Sequence, residues 1–250
     1  MSVAVLADVH ANLHALDAVL EDLARIDPDR IVVLGDLVGY GARPREVIAR
    51  IREVADLVVL GNHDHGVAQR SMAAGTRASA QRAVDWTRER LDADELAYLA
   101  ELPRIGLDAS GVLCAHGCYL NPDHYYGYVT STMLEANLDA IAGRDEGASV
   151  ALCGHTHVPM VAHRARAAVV EAWPGEGVVR WPTDAEVVLI NPGAVGQPRD
   201  GDLRAAWALI DPEAGRAEIR RVAYDVEAAV CAILDGGLPP ENAERLREGR

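Results

Sequence analysis

The stretch LVVLGNHDH, residues 57–65, joins a short apolar run to a glycine and four polar residues. The same design occurs at VAVLADVH (3–10) and IVVLGD (31–36). A strand with one wet face alternates polar and apolar residues. An uninterrupted apolar run of this length reads as a strand covered on both faces. Helical spacing follows each of the first two runs: Leu13, Leu16, Val19, Leu20, Leu23 and Ile26 after one, Val47, Ile48, Ile51 and Val54 after the other. Pro44 suits the first turn of that second helix. Strand and helix in alternation predict a βαβαβ unit, hence a parallel sheet.

Outward from this unit, residues 67–102 predict a helical insertion, in which Asp92 and Glu95 form a capping box. Strands resume at GVLCA (111–115) and SVALC (149–153). Beyond residue 158 come short β segments with Pro/Gly turns, at 171–182, 187–190 and 204–210, which predict a second sheet packed on the first. A last helix near 225–235 and a charged tail complete a single domain over 1–250, since no linker divides the chain.

Composition limits the function. Half of the 250 residues are apolar, enough for one sizeable core or at most two small ones, and with no Phe that core is aliphatic. A net charge of −14 repels duplex nucleic acid. The four cysteines form no CxxC pair, which fits a reducing compartment. The N-terminus lacks a basic segment, and its apolar run is too short for a signal peptide or membrane span. A soluble cytoplasmic protein without a membrane partner is expected.

The information lies at the strand ends. Asp8 and His10 follow the first strand, Asp36 the second, and Asn62, His63 and Asp64 the third. His116 follows a fourth, and His155 and His157 a fifth. Open α/β sheets bind ligands outside the carboxyl ends of their strands. In an extended segment residues i and i+2 face one side about 6.6 Å apart. That directs Asp8 with His10, and His155 with His157, towards one place. Glycines at 35, 61, 117 and 154 allow close backbone approach.

The ordered set D-x-H, G-D, G-N-H-D, H-G and G-H-x-H resembles the calcineurin-like metallophosphoesterases, and NPGAVGQPR (191–199) resembles a late segment of their small bacterial phosphodiesterase-type members. The resemblance implies an α/β fold: a four-layer αββα sandwich of two mixed β sheets flanked by helices. It implies that Asp8, His10, Asp36 and His157 hold one metal. Asp36, Asn62, His116 and His155 would hold a second, with Asp36 bridging. A thiolate-free mix of carboxylate, imidazole and amide suits Mn²⁺, Fe²⁺, Co²⁺, Ni²⁺ or Zn²⁺, with Mn²⁺ the expected choice. A water between two such ions becomes hydroxide near neutral pH and attacks phosphorus in line. Two divalent ions, less two carboxylates and one hydroxide, leave roughly +1, which attracts a phosphoester despite the acidic surface. His63 is then the general acid, with Asp64 orienting its ring and favouring imidazolium.

One departure bears on the substrate. Protein phosphatases of the superfamily read GDxVDRG, whereas here residues 35–41 read GDLVGYG, so Tyr40 stands in place of an arginine that clamps a dianionic phosphate. The loss favours a diester, which carries one charge fewer and can lay an attached base or aryl group on an aromatic surface. The expected substrate is a small phosphoester, a nucleotide being one candidate; self-association is left open. Alternatives are a phosphomonoesterase, a protein phosphatase or a dinucleoside polyphosphate hydrolase on the same site, or a non-catalytic scaffold. With all seven ligand positions and His63 filled, the scaffold is disfavoured. Asn12 either binds a phosphate oxygen or caps the helix beside it. Arg199 is either a charge partner of the site or a solvated turn residue. The Tyr-rich loop 121–128 is either a substrate platform or packing, and His65 reads as a surface turn residue.

Overall fold

The computed structural model describes residues 1–73, 76–121, 123–165, 168–182 and 184–250. Its first part runs β1 (Val3–Leu6), α1 (Leu13–Ile26), β2 (Arg30–Val33), α2 (Pro44–Val54) and β3 (Leu57–Val58). Three helices follow: α3 (Asn62–Gln69), α4 (Ala78–Arg88) and α5 (Ala93–Glu101). Next come β4 (Ile105–Leu107), β5 (Leu113–Ala115), α6 (Leu134–Ala142) and β6 (Val150–Leu152). The later strands are β7 (Met160–Ala165), β8 (Ala168–Ala172), β9 (Gly177–Arg180), β10 (Val187–Asn191), β11 (Ala205–Asp211) and β12 (Arg216–Val222). Two helices close the chain, α7 (Val226–Asp235) and α8 (Pro240–Glu248).

Two mixed six-stranded sheets result. The first has the order β3-β2-β1-β11-β12-β9, the second β4-β5-β6-β10-β7-β8. β1, β2 and β3 are parallel, as the alternation of strand and helix predicts. All four residues of β1 are buried because both faces are covered. Val3 and Val5, with Val32, Leu34 and Ile210, face Cys114, Leu152, Val188 and Ile190 of the second sheet. Ala4 and Leu6 point the other way, onto Leu16, Val19 and Leu23 of α1 and Val47, Ile48 and Ile51 of α2. On the far side Leu113, Ala151 and Leu189 pack on Leu134, Leu138 and Ile141 of α6. Helix, sheet, sheet and helix form the four-layer sandwich expected.

The capping box of α5 forms as expected: Asp92 accepts from the amides of Asp94 and Glu95, and Glu95 returns a bond to the amide of Asp92. The charged tail is a correction. It folds as α8, started by Pro240 and docked through Ala243 and Leu246 onto α7 and Ala83 of α4. GNHDH is not a turn either, because Asn62 opens α3 and Gly61 is its N-cap. Among the described residues no helix is long and apolar enough to cross a membrane.

Candidate metal centre

Loops from five strand ends meet at one edge of the two sheets. Their backbone is not extended as the i, i+2 argument expects. Asp8, His10, Ala11, Asp36, Tyr40, His155 and His157 all have φ between 49° and 66°. For a non-glycine residue this left-handed region costs roughly 1–2 kcal/mol, and strain of this kind collects at functional sites. Interlocking amides hold it: Asp8 N donates to Gly35 O, His10 N to Asp36 O, and Gly196 N to Asp8 O. At Gly61 the backbone passes so close that a Cβ would lie 2.1 Å from the Asp36 amide.

Three overlapping sets of buried donors form, each with its ligand atoms within 4.8 Å of one another: Asp8, His10 and His157; Asp36, His116 and His155; His10, Asp36 and His63. The Asn62 side-chain oxygen lies 3.2 Å from His116 Nε2. Asp36 Oδ2 stands between the first two sets, 3.6 Å from His10 Nε2 and 3.4 Å from His116 Nε2.

The ring orientations are fixed from outside. Nδ1 of His10 donates to Val38 O at 3.1 Å, of His116 to Leu34 O at 2.6 Å, and of His157 to Gln197 O at 2.5 Å. A carbonyl only accepts, so in each neutral ring the proton is on Nδ1 and Nε2 turns a lone pair inwards. The Nε2 atoms of His10 and His157 are 3.1 Å apart, and His116 Nε2 is 3.2 Å from His155 Nδ1. Asp8 Oδ1 is buried with no hydrogen-bond partner, 3.2 Å from His157 Nε2. Lone pairs and a carboxylate oxygen converging at these distances fit cations. The donor types fit divalent transition metals.

Charge agrees with geometry. Burial opposes ionisation of Asp8 and Asp36, but His157 acting on Asp8, and His116 and His63 acting on Asp36, hold both carboxyls below their usual range. Burial pushes His10 down, and His155 to about 3, so both rings stay neutral and able to ligate. His116 is the exception. Burial opposes its charge, yet Asp36 and Asp8 push it to about 9.

His63 sits beside this cluster, its ring 4.4 Å from that of Tyr40 and 5.0 Å from that of His10. Here two expectations are corrected. Asp64 does not orient His63: its carboxylate accepts from the amides of Val38, at 3.2 Å, and Gly61, at 3.1 Å, and His63 Nδ1 has no partner. Nor is the imidazolium favoured in the free protein, because burial pushes His63 to about 4.

Asn12 caps α1 by accepting from Ala15 N and spends its NH₂ on Gly196 O and Tyr224 Oη, which settles its choice in favour of the cap. His65 is half-buried and stacked on Tyr125 at 4.7 Å, not in a surface turn. Tyr40 and Arg199 do reach the site, on the wall of a cavity of about 390 Å³ that opens onto Asp36, Asn62 and His63. Tyr126 and Tyr128 of the Tyr-rich loop line it too, Tyr128 stacked on His155 at 4.3 Å. Arg77 and Arg245 share that wall and were invisible to motif reading. The signal for Arg245 was present in Pro240 at a helix start and in the helical spacing of Asn242, Ala243 and Leu246.

Two packed mixed sheets thus carry, at one edge, an Asp/His cluster able to hold metal. The chain belongs to the calcineurin-like phosphoesterase superfamily, whose domain model matches residues 1–215, and it is a metal-dependent phosphoester hydrolase. A metallophosphoesterase from Sphaerobacter thermophilus shares 36% identity and a TM-score of 0.85 over 100% of this chain and 99% of its own. MJ0912, an uncharacterised protein of Methanocaldococcus jannaschii, is 34% identical over 99% of this chain and 98% of its own. The Escherichia coli phosphodiesterase YfcE is 24% identical over 82% of this chain and 84% of its own.

Proposed function

We propose that the protein is a dinuclear phosphodiesterase. The observation that carries this is the ring nitrogens of His10, His157, His116 and His155, turned inwards and gathered around Asp8 and the shared Asp36. Asp8, His10, Asp36 and His157 hold one ion, and Asp36, Asn62, His116 and His155 the other, Mn²⁺ being the first choice. Once bound, such a pair supplies Lewis-acid charge to phosphoryl oxygens and makes water acidic. His63, on the cavity wall, holds the proton destined for the leaving oxygen. The negative charge of the phosphoester and of its departing oxygen favours the protonated ring, against burial and the nearby cations. Tyr40, whose ring packs against both His10 and His63, offers an aromatic wall where a protein phosphatase has an arginine. The phosphodiesterase YfcE, a relative over most of the chain, supports the same reading. Four unpaired cysteines, three of them buried, support the reducing cytoplasm as its location.

A second reading, a phosphomonoesterase, is favoured by the arginines on the cavity wall, which suit a dianion. Rates on bis- and mono-4-nitrophenyl phosphate with Mn²⁺, Co²⁺, Ni²⁺ and Zn²⁺ decide between them. The expected result is metal-dependent cleavage with the diester preferred. A clear preference for the monoester selects the second reading, and cleavage of neither would restore the scaffold.

A further inference from the structure

Three arginines from distant parts of the chain meet on the wall of the active-site cavity. Arg77 precedes α4, Arg199 follows β10, and Arg245 lies on α8, beyond residue 215 where the family match ends. The guanidinium groups of Arg199 and Arg245 stand 6.0 and 5.6 Å from the centre of the Tyr40 ring. Acidic residues outnumber basic ones by 38 to 24 in this chain. Arg45, Arg204 and Arg220 each hold two carboxylates. Yet among the described residues no Asp or Glu lies within salt-bridge distance of Arg77, Arg199 or Arg245.

Their donors are also under-used. Arg199 gives one NH₂ to Gln197 Oε1 at 3.1 Å, while its Nε is buried without a partner. Arg245 gives Nε to the backbone oxygen of Arg250 and one further donor to the Tyr40 hydroxyl, with the rest of its guanidinium left over. Burial first, and then Arg199, hold the Arg245 guanidinium below the ordinary arginine range. Like charges on one cavity wall, with donors to spare, suit an anion. Arg199 N donates to His157 O at 3.3 Å, and its guanidinium shares the Tyr40 ring with that of Arg245, so it adjoins both the ligand cluster and α8. At about 390 Å³ the cavity is of the size that holds a small organic ligand, more than a single phosphate group.

We propose that Arg77, Arg199 and Arg245 form a second anion subsite, which takes a phosphate of the substrate other than the scissile one. The substrate class is then a phosphodiester carrying a further phosphate, either on its sugar or along a phosphate chain. The C-terminal helix α8 becomes a specificity element added to the superfamily domain. The proposal rests on the phosphodiesterase reading above.

The test compares three probes on the Mn²⁺-loaded protein: thymidine 5′-(4-nitrophenyl phosphate), the same ester with a 3′-phosphate, and a nucleoside 5′-triphosphate esterified with 4-nitrophenol on its terminal phosphate. At least one of the two probes with further phosphate should have a kcat/KM about tenfold or more above the first, the size of one charge-assisted hydrogen bond; which one does so locates the second phosphate. Arg245→Gln should bring that ratio close to one, acting mainly through KM. Arg245→Lys, which keeps the charge, should retain an intermediate ratio and guards against a folding failure. A ratio near one in the wild type, or a ratio untouched by both Arg245→Gln and Arg77→Gln, overturns the subsite. If the wild type cleaves no diester at all, the phosphodiesterase reading falls by itself. Calorimetry then judges the subsite: thymidine 3′,5′-bisphosphate should bind about tenfold tighter than thymidine 5′-monophosphate, and equal affinities reject it.

Discussion

His63 and Asp64 are neighbours in sequence with separate tasks. Adjacent residues on a helix do not face each other, and both lie in the first turn of α3. The Asp64 carboxylate therefore turns back to the amides of Val38 and Gly61 and ties the loop after β2 to the start of α3. Asp64→Asn places an NH₂ against one of those amides, so a buried donor loses its acceptor. A loss of about 1–3 kcal/mol is expected, readable as a lower urea midpoint in metal-free protein. His63→Ala should act on chemistry instead. With an alkoxide leaving group kcat should fall about 10²–10⁴-fold, and with 4-nitrophenolate, which leaves without a proton, far less. Equal losses on both leaving groups would remove His63 from the role of acid.

Elements decide how the site is presented. Helix α1 is anchored to the first sheet by Asp22, which accepts from Trp207 Nε1 on β11 at 3.2 Å and from Arg220 Nε on β12 at 3.0 Å. Asp22→Ala leaves a buried indole N–H unpaired. It should cost about 1–3 kcal/mol by denaturant unfolding while leaving metal stoichiometry unchanged, since none of the three residues approaches the ligand cluster. What sequence could show follows the same division. Strands β1 and β2 and the ligand positions at their ends were legible, because covered strands give unbroken apolar runs that stop where the polar residues begin. The left-handed backbone at Asp8, His10, Asp36, His155 and His157 was not. Asp and His adopt a positive φ more readily than most residues, but that preference is too weak to place one in a sequence, and the loops reach it through bonds to one another. Helix α8 was missed because its charged face dominates its composition. Arg245 was missed for a stronger reason: its role exists only after α8 docks, when Asn242 donates to Tyr40 O at 3.2 Å and the helix lies against the site.

At the scale of the molecule, the ligand cluster joins the two sheets through polar groups at one edge. Asp8, His10 and Asp36 come from the ends of strands in the first sheet, and His116, His155 and His157 from the second. Each ion would therefore bridge both sheets and neutralise carboxylates that are fully buried. Metal that binds the folded chain alone stabilises it by about 2.7 kcal/mol at one hundred times Kd. That is the gain from one ion; for a chain of this length it is a rise in Tm of roughly 5–10 °C per ion, and about twice that for the pair. Stripping with a chelator should lower Tm by that amount, and Mn²⁺ should restore it in proportion to occupancy. Asp36→Asn, which weakens the one carboxylate shared by both ions, should abolish most of the restoration. His63→Ala is the critical comparison, because His63 also lies within ligand distance of His10 and Asp36. A proton donor outside the coordination shell leaves the Mn²⁺-dependent rise intact when removed, whereas a ligand takes much of it away. A His63→Ala protein whose Tm no longer responds to Mn²⁺ would make this histidine a ligand and move the acid role elsewhere on the cavity wall.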